Sequence, residues 1–251
     1  MDRNRERRLD SIFEYVTLKK DVTINELGEK FNISTMTVHR DLDDLSRSGR
    51  IVKVRGGAHA IQDEPETIFE VREQENNVSK TIIAQKVVKY IEPNTSIFID
   101  AGTTTLTVAK YMPDINVNIF TVSPNISLEL TRVKRPVITE CAGTLDRENL
   151  MLCGYFTLNI LDQINVDMAF MGVSGFSLEA GFTCGIQDQM MVKRRAIQRA
   201  KKVFVLMDSS KIEKTFPFIF AELKDIDYVV TDKELPAAYV EAFKQNNVII
   251  I

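Results

Sequence analysis

The stretch IFIDAGTTTLTVAKY, residues 97–111, predicts a strand, a turn crowded with hydroxyl groups and a helix. Its apolar run leads into Gly102 and three threonines, after which helical spacing begins. The first N–H groups of a helix have no partner within it, so a turn of this kind can bind a phosphate or another anion. The alternative is an ordinary connection in which the threonines only cap the helix.

From residue 96 onward, short apolar runs alternate with helical stretches. This pattern predicts an α/β fold with a mainly parallel sheet that is covered on both faces. The predicted strands are Ile97–Ile99, Val117–Val122, Val137–Thr139, Met168–Met171, Val203–Met207, Tyr228–Val230 and Val248–Ile251. The predicted helices span about Thr104–Met112, Asn125–Val133, Tyr155–Ile164, Gln189–Ala200 and Ala237–Asn246.

Polar residues follow five of these strands. Open sheets of this class bind ligands at the carboxyl ends of their strands, which predicts a ligand site there. Each polar strand end, taken singly, is also compatible with a simple turn. The predicted ligand-binding residues are Asp100, Gly102, Thr103, Thr104, Thr105, Ser123, Asn125, Gly143, Gly172, Asp208, Ser210 and Lys211.

The first sixty residues have the pattern of a helix-turn-helix. Thr23 and Ser34 are suitable N-caps for two successive helices, and Val38, Leu42 and Leu45 line the inner face of the second. RIVKVRGGAHAI, residues 50–61, then predicts a hairpin with a cationic tip, typical of the wing of a winged helix. The predicted DNA-binding residues are Ser34, Thr35, Met36, Thr37, His39, Arg40, Lys53, Arg55 and Gly56. A small helical domain with a solvated charged face is the alternative.

Charge and composition fit this division. Residues 1–60 hold 12 Lys+Arg against 10 Asp+Glu, and the remaining residues hold 20 against 25, within a total of −3. We expect a winged helix-turn-helix domain at residues 1–61, a linker at 62–77 and an effector domain at 78–251. The polar N-terminus and the lack of an apolar run of about 18 residues predict a cytoplasmic protein without a membrane span. The three cysteines form no CxxC pair, which favours buried, reduced thiols and no metal site.

The stretch STMTVHRDLDDLSRSGRIVKVRGGA, residues 34–58, resembles the signature of the DeoR family of bacterial transcriptional regulators. The resemblance continues through Asp100–Thr105, the strand Asp167–Gly172, the loop Gly181–Thr183 and the loop Asp208–Lys211. The chain departs from the family pattern in three places. His39 stands where a second arginine is usual, Ser123-Pro124-Asn125 replaces Thr-Asn-Ser, and Ala142-Gly143 replaces Gly-Gly.

The resemblance implies a sensor domain similar in fold to ribose-5-phosphate isomerase, with the phosphate at the Gly-Thr-Thr turn. It implies a regulator, most simply a repressor of a sugar-utilisation operon, that is controlled by a phosphorylated sugar and needs no cofactor. The expected partners are operator DNA, the phosphorylated sugar and further copies of the chain in a homodimer or homotetramer, since one recognition helix reads only a short half-site.

Two other functions stay open at the level of sequence. A sugar-phosphate isomerase or deaminase needs a base beside the substrate carbon. Both histidines, His39 and His59, precede the body, but Asp146 and Asp188 are not excluded as that base. The second alternative is a regulator that responds to a free sugar, another metabolite or a protein.

Overall fold

The computed structural model describes residues 3–19, 21–47, 51–54, 56–60 and 69–251. The chain divides into two compact units, Met1–Glu64 and Pro65–Ile251. Gly49, which the sequence predicts as the C-terminal stop of the helix that Ser34 caps, lies outside the described residues, as do Arg55 and residues 61–68. Among the helices that are described, none has the length and apolar character needed to cross a membrane.

The first unit combines three helices with a small antiparallel sheet. Its elements are α1 (Arg3–Lys19), β1 (Asp21–Thr23), α2 (Ile24–Phe31), α3 (Thr35–Arg47), β2 (Ile51–Val54) and β3 (Gly57–Ala60). Thr23 caps α2 by accepting a hydrogen bond from the Glu26 N–H at 3.2 Å, and Ser34 does the same for the N–H of Thr37 at 3.2 Å. Both predicted N-caps are therefore confirmed. Val38, Leu42 and Leu45 are buried, as predicted.

The hairpin β2–β3 is the predicted wing, and β1 adds a third strand on its β3 side. Strand β1 is not predictable from the sequence, because three residues carry too little periodicity to indicate a strand. Its place explains Gly57. A Cβ at this position would lie 2.0 Å from the carbonyl oxygen of Val22, so a side chain there would push β1 off the sheet.

A buried carboxylate ties α3 to α1. Asp41 is 0% exposed and accepts two hydrogen bonds from the guanidinium of Arg8, at 2.8 and 3.2 Å. Arg5 forms a second ion pair with Asp44 one turn later. The Asp41 of the Arg-Asp-Leu run therefore has a structural role, since it holds α3 against α1.

We expect Asp41→Asn to lower the free energy of unfolding of the first unit by about 1–2 kcal/mol, because a charge-assisted pair becomes a neutral one and Arg8 is partly screened by water. Hydrogen exchange of the α3 amides in the full-length protein measures the effect. Glu29→Gln, at an exposed position of α2, is the control. If the α3 amides exchange equally fast in the two variants, the Asp41–Arg8 pair does not hold α3 in place.

The second unit is an α/β domain. Its helices are α4 (Phe69–Gln74), α5 (Asn77–Val87), α6 (Thr103–Lys110), α7 (Pro124–Leu130), α8 (Tyr155–Asp162), α9 (Gln187–Gln198) and α10 (Ala237–Gln245). Its strands are β4 (Ser96–Ile99), β5 (Asn118–Thr121), β6 (Val137–Glu140), β7 (Thr144–Asp146), β8 (Met151–Cys153), β9 (Val166–Gly172), β10 (Gly175–Ser177), β11 (Gly181–Cys184), β12 (Ala200–Leu206), β13 (Phe218–Ala221), β14 (Tyr228–Val230) and β15 (Ile249–Ile250).

Seven strands form one parallel sheet in the order β15-β14-β12-β9-β4-β5-β6. All seven correspond to predicted strands, and the predicted fold class is confirmed. Apolar clusters pack on both faces of the sheet, and Cys141, Cys153 and Cys184 are buried free thiols, as predicted. The chain proceeds from β4 to β5 and β6 on one side, and then returns to β9 on the other side of β4. The order therefore reverses between β4 and β9, where open α/β sheets bind ligands.

The antiparallel strands of this unit are not evident from the sequence. The hairpin β7–β8 and the three-stranded sheet β10-β11-β13 form from polar strand ends, from the predicted loop Gly181–Thr183 and from segments for which the sequence predicts no element. The linker expected at residues 62–77 also differs from the structure. Its described part contains α4, whose Phe69 is 1% exposed and packs in the core.

Candidate functional site

A polar cleft lies at the carboxyl ends of β4, β9 and β12, next to the point where the strand order reverses. The turn after β4, the end of β9, helix α9 and the loop after β12 form four of its walls, and α4 with the start of α5 forms the fifth. The residues that line the cleft are Arg72, Glu75, Asn76, Lys80, Ala101, Gly102, Thr103, Thr104, Gly172, Val173, Ser174, Gln189, Lys193, Asp208 and Lys211.

The glycine-threonine turn, Gly102–Thr105, contributes only part of its predicted set. Gly102 is the N-cap of α6, and Thr103 and Thr104 in its first turn line the cleft. The hydroxyl of Thr105 is buried and donates to the carbonyl oxygen of Gly102 at 2.9 Å. Thr105 therefore makes a local hydrogen bond within the first turn of α6 and lies outside the lining.

A buried ion pair forms the floor of the cleft. The ammonium of Lys193 donates to Asp100 and, at 2.9 Å, to the carbonyl oxygen of Gly172, and the N–H of Gly172 donates back to Asp100 at 3.0 Å. Burial raises the pKa of the Asp100 carboxyl, while the Lys193 ammonium acts in the opposite direction. Asp100, predicted as a ligand residue, thus lies under the cleft and fixes Lys193 and the end of β9.

The loop after β12 brings Asp208 and Lys211 to the cleft. Asp208 is buried and accepts hydrogen bonds from the N–H and the hydroxyl of Ser210, so it caps the short 3₁₀ turn that carries Lys211. Ser210 is exposed and lies outside the lining, where its hydroxyl accepts a hydrogen bond from the Asn76 amide at 3.2 Å. A carboxylate and a cation therefore face the cleft from one loop.

Three predicted ligand residues lie away from the cleft. Ser123 caps α7 by accepting from the Ile126 N–H at 3.4 Å, and Asn125 lies within that helix. Gly143 follows β6 and allows close packing, since a Cβ there would lie 2.0 Å from the Thr157 hydroxyl. The reason is strand order, because β5 and β6 are one and two places beyond β4, about 5 and 10 Å along the sheet edge.

The structure adds residues that the sequence analysis missed. Arg72, Glu75 and Asn76 fall in the segment predicted as a linker, and Lys80, Gln189 and Lys193 lie on helices. A signal for the two lysines exists in the sequence. Each occupies a core position of its helix, and the buried sets are Lys80, Ile83, Ala84 and Val87 in α5 and Gln189, Val192, Lys193 and Ala196 in α9.

In the first unit, the predicted DNA-contacting side chains of α3 lie on its outer face. Thr35, Met36, His39 and Arg40 are exposed, Met36 by 72%. The hydroxyls of Ser34 and Thr37 lie 2.9 Å apart and form a hydrogen bond at the start of the helix.

On the wing, the Lys53 ammonium pairs with Asp43 at 2.6 Å, so one predicted phosphate contact is shared with α3. Gly56 has a φ of +95°, which favours glycine at the tip. Arg55 lies outside the described residues.

The two carboxylates considered as catalytic bases lie outside the cleft. Asp146 accepts hydrogen bonds from the N–H groups of Glu148 and Asn149 and from the Asn149 amide, so it stabilises the β7–β8 turn. Asp188 lies in the first turn of α9, with the Cys153 sulfur 3.6 Å from its Oδ2 atom.

Comparison with known proteins agrees with this division of the chain. Residues 8–64 match the model of the DeoR-like helix-turn-helix domain, and residues 75–233 match the DeoR C-terminal sensor domain. The chain is 30% identical to the uncharacterized HTH-type transcriptional regulator YulB of Bacillus subtilis (strain 168), covering 96% of this chain and 94% of that one. It is 29% identical to the HTH-type transcriptional repressor GlcR of the same organism, covering 97% and 94%.

A solved structure of ribose 5-phosphate isomerase A from Methanocaldococcus jannaschii aligns with 17% identity and a TM-score of 0.40, covering 53% of each chain. The fold class follows from the strand order and does not depend on this distant likeness. The two family matches together cover both units, and the sensor model alone spans well over half of the sequence. The chain therefore belongs to the DeoR family of helix-turn-helix transcriptional regulators.

Proposed function

We propose that the protein represses a sugar-utilisation operon and that a phosphorylated sugar bound in the cleft controls its affinity for operator DNA. This proposal rests on one observation: the start of α6 at Thr103–Thr104 lines the same cleft as three cationic side chains. These are Arg72, Lys80 and Lys211. Helix N–H groups and cations together suit a dianionic phosphate. The repressor GlcR, similar along nearly its whole length, supports the sign of regulation.

We further propose that the protein binds its operator as a homodimer or homotetramer, because one recognition helix covers only a short half-site. A catalytic role has less support. Asp146 and Asp188 lie outside the cleft, and Asp100 already pairs with Lys193. Turnover of pentose or hexosamine phosphates by the purified protein, lost in Asp146→Asn or Asp188→Asn, would restore the isomerase alternative.

A thermal-shift screen of the full-length protein against matched phosphorylated and free sugars tests the sensor function. A ligand at about 100 times its dissociation constant adds about 2.7 kcal/mol, enough to raise the melting temperature by several degrees. We expect a shift with one phosphorylated sugar and none with its free form. If a free sugar raises the melting temperature, or if no sugar in the screen raises it, the result would favour the phosphate-independent regulator.

We expect the variant Thr104→Ala/Lys211→Ala to bind that phosphorylated sugar at least tenfold more weakly while its operator affinity stays unchanged, since a helix-start hydroxyl and a cation are lost from the second unit alone. Isothermal titration and an operator-binding assay measure the two quantities. Lys214→Ala, at an exposed position of the same loop outside the lining, is the control. Undiminished affinity in the double variant would place the phosphate elsewhere.

A further inference from the structure

Hydrogen bonds fix helix α4 at both ends, and one of the donors, Lys80, lies in the wall of the cleft. At its start, the Phe69 N–H donates to the carbonyl oxygen of Glu148 at 2.8 Å. One turn later, the Arg72 guanidinium donates to Asn149 at 2.8 Å. At its end, the Lys80 ammonium donates to the carbonyl oxygens of Arg72 and Glu75, the latter at 2.6 Å.

The third N–H group of the Lys80 ammonium is the one that could bind a ligand. An ammonium group has three N–H donors, and two are used by the carbonyl oxygens of Arg72 and Glu75. The remaining acceptor among the described residues is the Glu73 carbonyl oxygen at 3.5 Å, beyond the ordinary range for an N–H···O bond. Lys80 is 4% exposed and lines the cleft together with Thr103 and Thr104.

We propose that the third N–H of Lys80 donates to the phosphate of the effector, so that one ammonium group fastens the end of α4 to the bound ligand. The proposal rests on the proposed function and names the residue that couples the ligand to the polypeptide next to the cleft. Helix α4 is the first described element after residues 61–68, through which the chain continues from the first unit. Binding of the effector thereby stabilises the end of α4.

The charges around Lys80 make this contact dependent on pH. The groups that face it are Arg72 and Glu75 from the end of α4, and Asp208 and Lys211 from the loop after β12. Burial lowers the pKa of Lys80 to about 8. A bound phosphate favours the charged ammonium and raises this pKa, so affinity is highest below pH 8 and falls as Lys80 of the free protein loses its proton above it.

Inorganic phosphate is the probe, and the full-length protein is used throughout. At pH 7 we expect saturating phosphate to slow hydrogen exchange of the α4 amides several-fold in the wild type. In Lys80→Met, α4 is expected to exchange faster without phosphate, to bind phosphate about tenfold more weakly and to show no slowing at saturation. Lys86→Met is the matched control, since Lys86 lies on the same helix and donates to the Thr231 carbonyl oxygen at 2.7 Å, outside the cleft.

A second variant covers a possible folding defect of Lys80→Met. Lys80→Arg keeps a cation that stays protonated, so its phosphate affinity is expected to stay level between pH 8 and 9.5, where the wild type loses about tenfold. A level wild-type profile, or α4 exchange that phosphate leaves unchanged, overturns the proposal. The proposed function still stands in that case if phosphate binds the wild type and Thr104→Ala/Lys211→Ala abolishes the binding. If phosphate does not bind the wild type, both fail.

Discussion

Replacing Lys193 by Met is expected to lower the free energy of unfolding of the second unit by about 3–5 kcal/mol, and its melting temperature by about 10 °C. The substitution preserves most of the volume and removes the cation. Asp100, 1% exposed, then stays buried with backbone N–H donors such as that of Gly172 but without its ion-pair partner. The loss is expected to shrink at low pH, because a protonated Asp100 no longer needs a cation.

Urea unfolding of the full-length protein, followed separately for the two units by hydrogen exchange, measures this loss. Lys201→Met is the control, since Lys201 pairs with Asp167 at 2.8 Å on the surface and such pairs contribute about 0–1 kcal/mol. The double variant Asp100→Asn/Lys193→Met removes both charges and is expected to regain part of the stability. If Lys193→Met unfolds no more easily than Lys201→Met, the buried pair does not stabilise the unit.

Removing the guanidinium of Arg40 is expected to reduce operator affinity by about 30-fold to 10⁴-fold. A bidentate contact to guanine contributes about 1–3 kcal/mol, and a homodimer would lose two of them. Arg40 is exposed on α3, one residue before the buried Asp41 that anchors the helix, so Arg40→Ala changes the surface and leaves the helix in place. Binding of the phosphorylated sugar is expected to stay unchanged.

An electrophoretic mobility-shift assay at fixed salt measures the loss with operator DNA and with unrelated DNA. A base contact predicts a loss that is much larger for the operator, whereas a phosphate contact predicts equal losses and a smaller salt dependence. Lys202→Ala removes one exposed positive charge from the second unit and serves as the control for net charge. Unchanged operator affinity in Arg40→Ala would refute the assignment of α3 as the recognition helix.

Local sequence was sufficient for most of the secondary structure. Each parallel strand contains a short apolar run, and helical spacing separates most of these runs from the next, so local periodicity identifies them. Thr23 and Ser34 are caps that act within three residues, which makes them visible in sequence. The missed elements, such as β1 and the β7–β8 hairpin, are three-residue strands that form because another segment pairs with them.

Helix α4 shows a different limit. Residues 69–74 are polar except for Phe69 and Val71, so composition predicted a linker. The helix forms because Phe69 packs in the core, Arg72 hydrogen-bonds Asn149, and Lys80 holds the last carbonyl oxygens. Most of these contacts join residues that are distant in the sequence. Lys80 and Lys193 gave a weak signal, as cations at core positions of amphipathic helices.

The sequence by itself determined the family, the α/β class, the two-part organisation of the motifs and the glycine-threonine turn, because each of these depends on neighbouring residues or on a recognisable motif. Only the tertiary structure decided which polar strand ends meet. The sheet order places β4, β9 and β12 side by side, which brings Thr104, Gly172 and Lys211 into one cleft and leaves Ser123 and Gly143 further along the edge. Strand order depends on long-range packing and on how the chain crosses between strands, and local periodicity predicts neither.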